Sequence, residues 1–228
     1  MSISTADIEA LWLTLKLALV VTVILLVICS PLAWWLATTE RRIRHVVNAL
    51  VALPLVLPPS VLGFYLLIAM GPQGIIGEIT AALNLPSLAF SFWGLVIASI
   101  IYSLPFVVQP LQNGFQSLGK RPFEVAATLG AKRLDTFFNI ALPLNKPAYL
   151  TASVLGFAHT VGEFGVVLMI GGNIAGETRV ASVQIYDHVE SLNYAQAHSL
   201  SLILIALSFF ALLSVYTINR SSKSAGIR

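Results

Sequence analysis

Arg121-Pro-Phe-Glu124-Val-Ala-Ala-Thr-Leu-Gly130-Ala-Lys-Arg-Leu-Asp-Thr-Phe-Phe-Asn-Ile140-Ala-Leu-Pro143-Leu-Asn-Lys-Pro147 gathers charge, a glycine and prolines in a chain that is otherwise almost continuously apolar. Pro122 suits the first turn of a helix and Gly130 a position just past its end, so the residues between them are predicted to form a two-turn helix. On it Phe123, Ala126, Ala127 and Gly130 fall at i, i+3, i+4 and i+7, a face of mostly small side chains that lets another surface come close. Such a face is expected to seat on a partner. A second helical piece carries Phe137, Phe138 and Ile140, and Pro143 is predicted to mark a change of direction.

Composition fixes the class of the remaining chain. Of 228 residues, 57% are hydrophobic and 10% charged, where soluble domains average about 25% charged. This composition predicts an integral membrane protein, one all-α transmembrane domain over residues 1–228. A net charge of +3 does not imply nucleic acid, because the basic residues are split among short loops without aromatic interleaving. Cys29 lies in an apolar run and reads as a small core residue. Asp7 and Glu9 near the start argue against a cleavable signal peptide.

Taking about 20 apolar residues per crossing of a roughly 30 Å hydrocarbon layer, five spans are expected: Leu11 to Ala37, Val46 to Met70, Phe92 to Phe115, Ala148 to Ile170 and Leu200 to Ile218. Basic residues follow the first span (Arg41, Arg42, Arg44), the third (Lys120, Arg121, Lys132, Arg133, Lys146) and the fifth (Arg220, Lys223, Arg228), which puts all three groups on the cytosolic side. The N-terminus is then outside and the C-terminus in the cytosol. The opening stretch belongs to a cytoplasmic loop at about 116–147. Lys16 is expected to snorkel to the outer headgroups beside Trp12.

Two features suggest a translocating core and not an anchor. Pro54, Pro58 and Pro59 in the second span, with Pro105 and Pro110 beside Ser103 in the third, must break or bend helices, and freed carbonyls inside a bilayer need protein, water or side chains to satisfy them. The fourth span carries His159-Thr-Val-Gly162-Glu163-Phe-Gly165, where His159 and Glu163 are spaced to share a helix face and neutralise each other. Either the pair serves function, or with Gly156, Gly162 and Gly165 it packs helix against helix. The outer loop Gly171 to Arg179 is turn-rich and becomes helix-compatible from Ala181 to Tyr194, with Val183, Tyr186 and Val189 expected toward lipid or protein and Asp187, His188 and Glu190 toward water. His45, His188 and His198 read as single interfacial side chains. No glycine-rich loop ends in Gly-Lys-Ser/Thr and no Cys/His cluster is present, so no ATP site, metal site or cofactor is expected.

Glu124, Ala126, Ala127 and Gly130, followed by Ile140-x-Leu142-Pro143, closely resemble the cytoplasmic EAA loop of bacterial ATP-binding-cassette (ABC) importer permeases, with Val125 as the one departure in those named positions. Leu53 to Pro59, Gly162-Glu-Phe-Gly165 and Gly172 to Arg179 resemble the molybdate permeases of that superfamily, with sulfate permeases close behind. His159 stands where relatives carry Arg, and Ala175 where Pro is usual.

The resemblance implies a type I importer permease fold in the bacterial inner membrane. It implies two copies of this chain forming the path, two copies of a separate ATPase beneath, and an extracytoplasmic protein delivering an oxyanion such as molybdate or tungstate. Phe123, Glu124, Ala126, Ala127, Gly130 and Pro143 are its coupling residues. Pro58, Pro59, Ser103, Pro105, His159, Gly162, Glu163 and Gly165 are candidates for the path or for helix packing. An unpaired carboxylate would repel a dianion, so Glu163 is expected to be paired and not a substrate ligand. A secondary transporter coupling an ion through His159 and Glu163 is the rival, and a membrane enzyme using that pair as acid and base is a weaker third.

Overall fold

The computed structural model describes residues 3–225, and among the described residues all regular structure is helical. The first helix, α1 (Thr5–Thr38), opens on a capping box in which the Ser4 hydroxyl accepts from the Asp7 N–H and the Asp7 carboxylate accepts from the Ser4 N–H. This satisfies donors that a helix start leaves unpaired. Leu13, Leu17, Val21, Leu25, Cys29, Ala33 and Leu36 recur every three or four residues and are buried. That stripe packs α1 against α5 (Phe92–Ser117) and α9 (Lys146–Val161), and the three helices make the core. Leu19, Val23 and Val27 on the opposite side are exposed, as a surface facing acyl chains would be.

The expected second span does not form as one helix. It divides into α2 (Ile43–Val56) and α3 (Pro59–Met70), with Leu57 and Pro58 extended at ψ of 135° and Pro59 at the start of α3. A proline favours an extended conformation in the residue before it, and Pro58-Pro59 applies that restriction twice. The 14 residues of α2 reach only about 21 Å, short of a crossing. The stretch long and apolar enough runs instead from Pro59 through α4 (Ile75–Ala82). By contrast, α5 continues through Pro105 and Pro110 as a single helix of 26 residues.

The fourth expected span is also broken: α9 and α10 (Gly165–Gly171) meet at a bend of 60°. With α12 (Tyr194–Ala225), the described residues hold four helices able to cross a membrane, or five if the bent pair is one span. Between α10 and α12 lies α11 (Ala181–Glu190), whose first N–H donates to Thr14 Oγ1 at 2.8 Å and so ties it to α1. Its buried residues are Ala181, Val183, Gln184 and His188. Tyr186 and Val189 lie at the surface, and α11 packs on both α1 and α12. Lys16 lies over the Phe92 ring, 4.6 Å from its centroid, a cation–π seat not anticipated from Trp12. Of the C-terminal basic group, Arg228 lies outside the described residues, as do the side chains of Arg220 and Lys223.

Candidate functional site

On the side of α1 that ends at Thr38, the opening stretch folds as α6 (Arg121–Thr128), α7 (Arg133–Thr136), a π-helical turn Phe137–Ala141 and α8 (Leu142–Leu144). Gly130 adopts φ of +82°, while the Gly130 N–H donates to Ala127 O and the Ala131 N–H to Ala126 O. This helix ending requires a left-handed residue and explains the glycine without any need for close approach.

The small-residue face is divided. Phe123 packs edge-on against Trp34 with ring centroids 4.8 Å apart, and Ala126 is buried. Trp34 also contacts Phe115 and Phe137, so one indole anchors α6 to the bundle. The outward surface comprises Glu124, Ala127, Gly130, Val125 and Leu129, with Leu129 82% exposed, and Leu134 and Phe138 lie uncovered nearby. Leu129, i+4 from Val125, was not singled out in the sequence. Pro143 does not redirect the chain: the Asn145 N–H donates to Ala141 O at 3.1 Å, and the interruption falls at Asn145 itself (φ −93°, ψ 8°). The π turn widens the coil just before a proline that has no N–H to give.

The second constellation sits at the α9–α10 bend. α9 ends at Val161, and Gly162 closes it by donating to Ala158 and His159 carbonyls. Glu163 is therefore past the helix, not on a common helical face with His159, yet the turn brings its carboxylate back to 3.6 Å from His159 Nδ1. Ser99 Oγ donates to Oε2 at 2.5 Å and Ser103 Oγ to Oε1 at 2.7 Å. Ser182 donates to the Glu163 carbonyl. The Ser103 oxygen also meets His159 Nδ1 at 2.9 Å and Thr160 Oγ1 at 3.0 Å.

His159 stacks on Phe106, centroids 3.8 Å apart at 24°, and lies against Tyr102 at 4.8 Å. Close approach builds this site: a Cβ on Gly156 would meet Val107 Cγ2 at 2.7 Å, and one on Gly165 would meet Pro59 Cβ at 3.0 Å. Gly162, in contrast, would bring a Cβ no nearer than 3.6 Å to anything. The structure thus joins Ser103, His159 and Glu163 in one network, links Pro59 to it through Gly165, and leaves Pro58 at the α2–α3 joint and Pro105 within α5. Ser99, Thr160, Tyr102 and Phe106 are members that the sequence did not announce. Only the i, i+4 pairing of Ser99 with Ser103 and of Tyr102 with Phe106 could have signalled them. Ser103 and Ser99 on α5 both donate to the Glu163 carboxyl, so the trio ties α5 to the α9–α10 bend.

A further network ties the other end of α1. His188 Nε2 lies 2.6 Å from Asp7 Oδ1 and 3.2 Å from Gln184 Nε2, and all three residues are buried. The expectation of His188 as an interfacial side chain facing water is therefore corrected, whereas His45 and His198 are exposed. Arg179 donates to Asn173 Oδ1 at 2.6 Å and pairs with Asp187 at 3.4 Å, which closes the Gly171–Arg179 loop onto α11.

Broken helices around a buried glutamate, with a partly uncovered short helix beyond the bundle, are the architecture of a membrane transport permease. The chain belongs to the family described as binding-protein-dependent transport system inner membrane component, whose model matches residues 29–223. It is 58% identical over 220 residues to the molybdenum transport system permease protein ModB of Azotobacter vinelandii, covering 96% of this chain and 97% of that one. Identity to ModB of Haemophilus influenzae is 35% with the same coverage. The sulfate transport system permease protein CysT of Salmonella typhimurium is 33% identical, covering 82% of this chain and 67% of that one.

Among solved structures, a bacterial alginate ABC transporter in complex with its alginate-bound periplasmic protein aligns with a TM-score of 0.76 at 19% identity, covering 96% of this chain and 80% of that one. The inward-facing MetNI methionine ABC transporter aligns at 0.72 and 16% identity, with 94% of each chain covered. The fold is that of ABC importer permeases, and the chain is a multi-pass transport component of the inner membrane.

Proposed function

We propose that this chain is the path-forming subunit of an ATP-driven importer for a tetrahedral oxyanion, molybdate foremost. The observation that carries the proposal is 58% identity to a molybdenum permease across nearly the full length of both chains. The geometry agrees with it. Exposed Val125, Ala127, Leu129 and Glu124 form a surface suited to a groove on an ATPase, and Phe123 against Trp34 makes α6 rigid enough to transmit a push into α1. Two copies of the chain, two ATPases and an extracytoplasmic binding protein complete the machine, with the N-terminus outside and α6 in the cytosol. Closure of the ATPases then moves the paired α6 helices, and the bundles rock between outward and inward openings.

Proteoliposomes holding the permease with its ATPase, supplied with the binding protein and radiolabelled molybdate, test this. Uptake that requires ATP and is competed by tungstate more strongly than by sulfate is expected. Uptake driven by an ion gradient without ATP would overturn it, and preferential competition by sulfate would reassign the cargo.

A further inference from the structure

We propose that the groove between the cytosolic half of α1 and the segment from α6 to α8 holds an anionic phospholipid of the inner leaflet, its chains against α1 and its phosphate at a basic mouth. The assignment rests on the membrane orientation proposed above and not on the cargo. The groove has a volume of about 1740 Å³, well above the roughly 300–1,000 Å³ of pockets for small molecules. Its occupant is therefore large.

Position along α1 sets the depth. Leu26, Val27, Ser30, Pro31 and Trp34 line the inner part, and Thr38 lies where α1 ends. From Leu26 to Thr38, at about 1.5 Å per residue, the groove runs about 18 Å. That is one leaflet of a roughly 30 Å hydrocarbon layer with the start of its headgroup zone. Val27 is 70% exposed and continues the stripe of Leu19 and Val23 on the lipid side of α1. The inner part thus opens sideways to acyl chains, at a depth that a soluble partner docked on α6 does not reach.

The mouth has the opposite chemistry. Arg41 from between α1 and α2, Arg44 from the first turn of α2, Lys120 from the start of α6 and Arg133 from α7 line it, against Glu40 and Glu124. Lys120 is engaged by Glu40 at 3.0 Å, and Arg44 gives one N–H to Thr39 O at 3.3 Å. Arg41 and Arg133 are exposed, and their guanidinium groups have no partner among the described residues. A guanidinium offers a planar fork of donors that matches a phosphate.

Three segments far apart in the chain therefore bring an excess of positive charge to the end of an apolar groove, the complement of a phospholipid with an anionic headgroup. The course of α2 fixes the level independently. Its exposed stripe Ile43, Val46, Leu50 and Leu53 begins beside Arg41, Arg42 and Arg44, as in a helix that enters hydrocarbon from the cytosolic headgroups. The phosphates of an anionic inner leaflet lie at that level.

Tryptophan fluorescence tests the assignment, with Trp34 and Trp35 on the groove as reporters. The full-length permease carries Trp12→Phe and Trp93→Phe, both at exposed positions, in phosphatidylcholine nanodiscs with a rising fraction of a lipid whose brominated chains quench a nearby indole. Brominated phosphatidylglycerol is expected to reach half-maximal quenching at a mole fraction at least about fivefold lower than brominated phosphatidylcholine, the scale of one or two basic contacts to an anionic headgroup. Arg41→Gln combined with Arg133→Gln should erase that preference, whereas bound ATPase and added inorganic phosphate should leave it in place.

Equal quenching by the two lipids, or none by either, overturns the proposal before any arginine is changed. Quenching that the ATPase abolishes assigns the groove to that partner and overturns it too. Displacement by inorganic phosphate would make the mouth a site for free anions, and a preference that survives both arginine substitutions would contradict the placement of the phosphate. None of these readouts requires transport, so a complex without ATP-dependent oxyanion uptake would overturn the proposed function and leave the lipid site standing.

Discussion

His188 Nε2 and Asp7 Oδ1 lie 2.6 Å apart although 181 positions separate them in the chain. The contact fastens the start of α1 to α11 at the end of the bundle opposite α6, and both side chains are buried. Removing one partner takes the 2.6 Å hydrogen bond from the other, which then keeps only its contact to Ser4 or to Gln184. Asp7→Ala and His188→Ala are each expected to cost about 1.5–3 kcal/mol, the range for hydrogen bonds to charged groups. Unfolding in detergent checks this, and an unchanged midpoint in both variants would contradict it.

The approach of α9 to α5 at Gly156 separates two glycines that look alike in sequence. Gly156→Ala forces a methyl to within 2.7 Å of Val107 Cγ2, so α9 or Val107 must shift, at about 1–3 kcal/mol for an overpacked site. Gly162→Ala meets nothing closer than 3.6 Å and is expected to fold like the wild type. Equal stability losses in the two variants would show that packing space is not what distinguishes them.

Local features of the sequence were legible where one element suffices to explain them. The start of α6 at Pro122, its end at Gly130 and the extended joint at Pro58-Pro59 follow from backbone restriction. Features that depend on a distant partner were not legible. Phe123 looks available on α6 until Trp34, nearly ninety residues earlier, packs against it, while Val125 and Leu129 stay outside. His159 and Glu163 were visible as a pair, but Ser99 and Ser103 come from another helix and only packing delivers them. The prolines show the same division: two adjacent ones split α2 from α3, while Pro105 and Pro110, each inside packed α5, leave it continuous.

Glu40 and Lys120 bridge the end of α1 to the start of α6 at 3.0 Å, both highly exposed. The Lys120 hydrogen bond and charge hold the Glu40 carboxyl below its ordinary range, and Glu40 in turn raises the Lys120 ammonium. For the depressed acid, stability is present above the unfolded carboxylate value near about 4.3 and is lost as pH falls through the lower folded value. For the raised base, it is present below the unfolded lysine value and lost as pH rises through the higher folded one. Across neutral pH the tie is constant and weak, since exposed pairs are screened. Glu40→Gln should leave the unfolding midpoint essentially unchanged at neutral pH and high salt; a large loss there would mean that this pair is a structural keystone.

The coupling surface gives the most direct measurement of the account as a whole. Glu124→Ala and Leu129→Glu alter side chains exposed on α6, so they should assemble as folded permeases while losing the transmitted motion. The quantity to measure is oxyanion accumulated per ATP hydrolysed by the reconstituted complex. The account predicts ATP-dependent accumulation in the wild type and a ratio at least about tenfold lower in both variants, equivalent to about 1.4 kcal/mol of lost coupling. Wild-type ratios in both variants, with undiminished uptake, would contradict the claim that α6 receives the work of ATP hydrolysis.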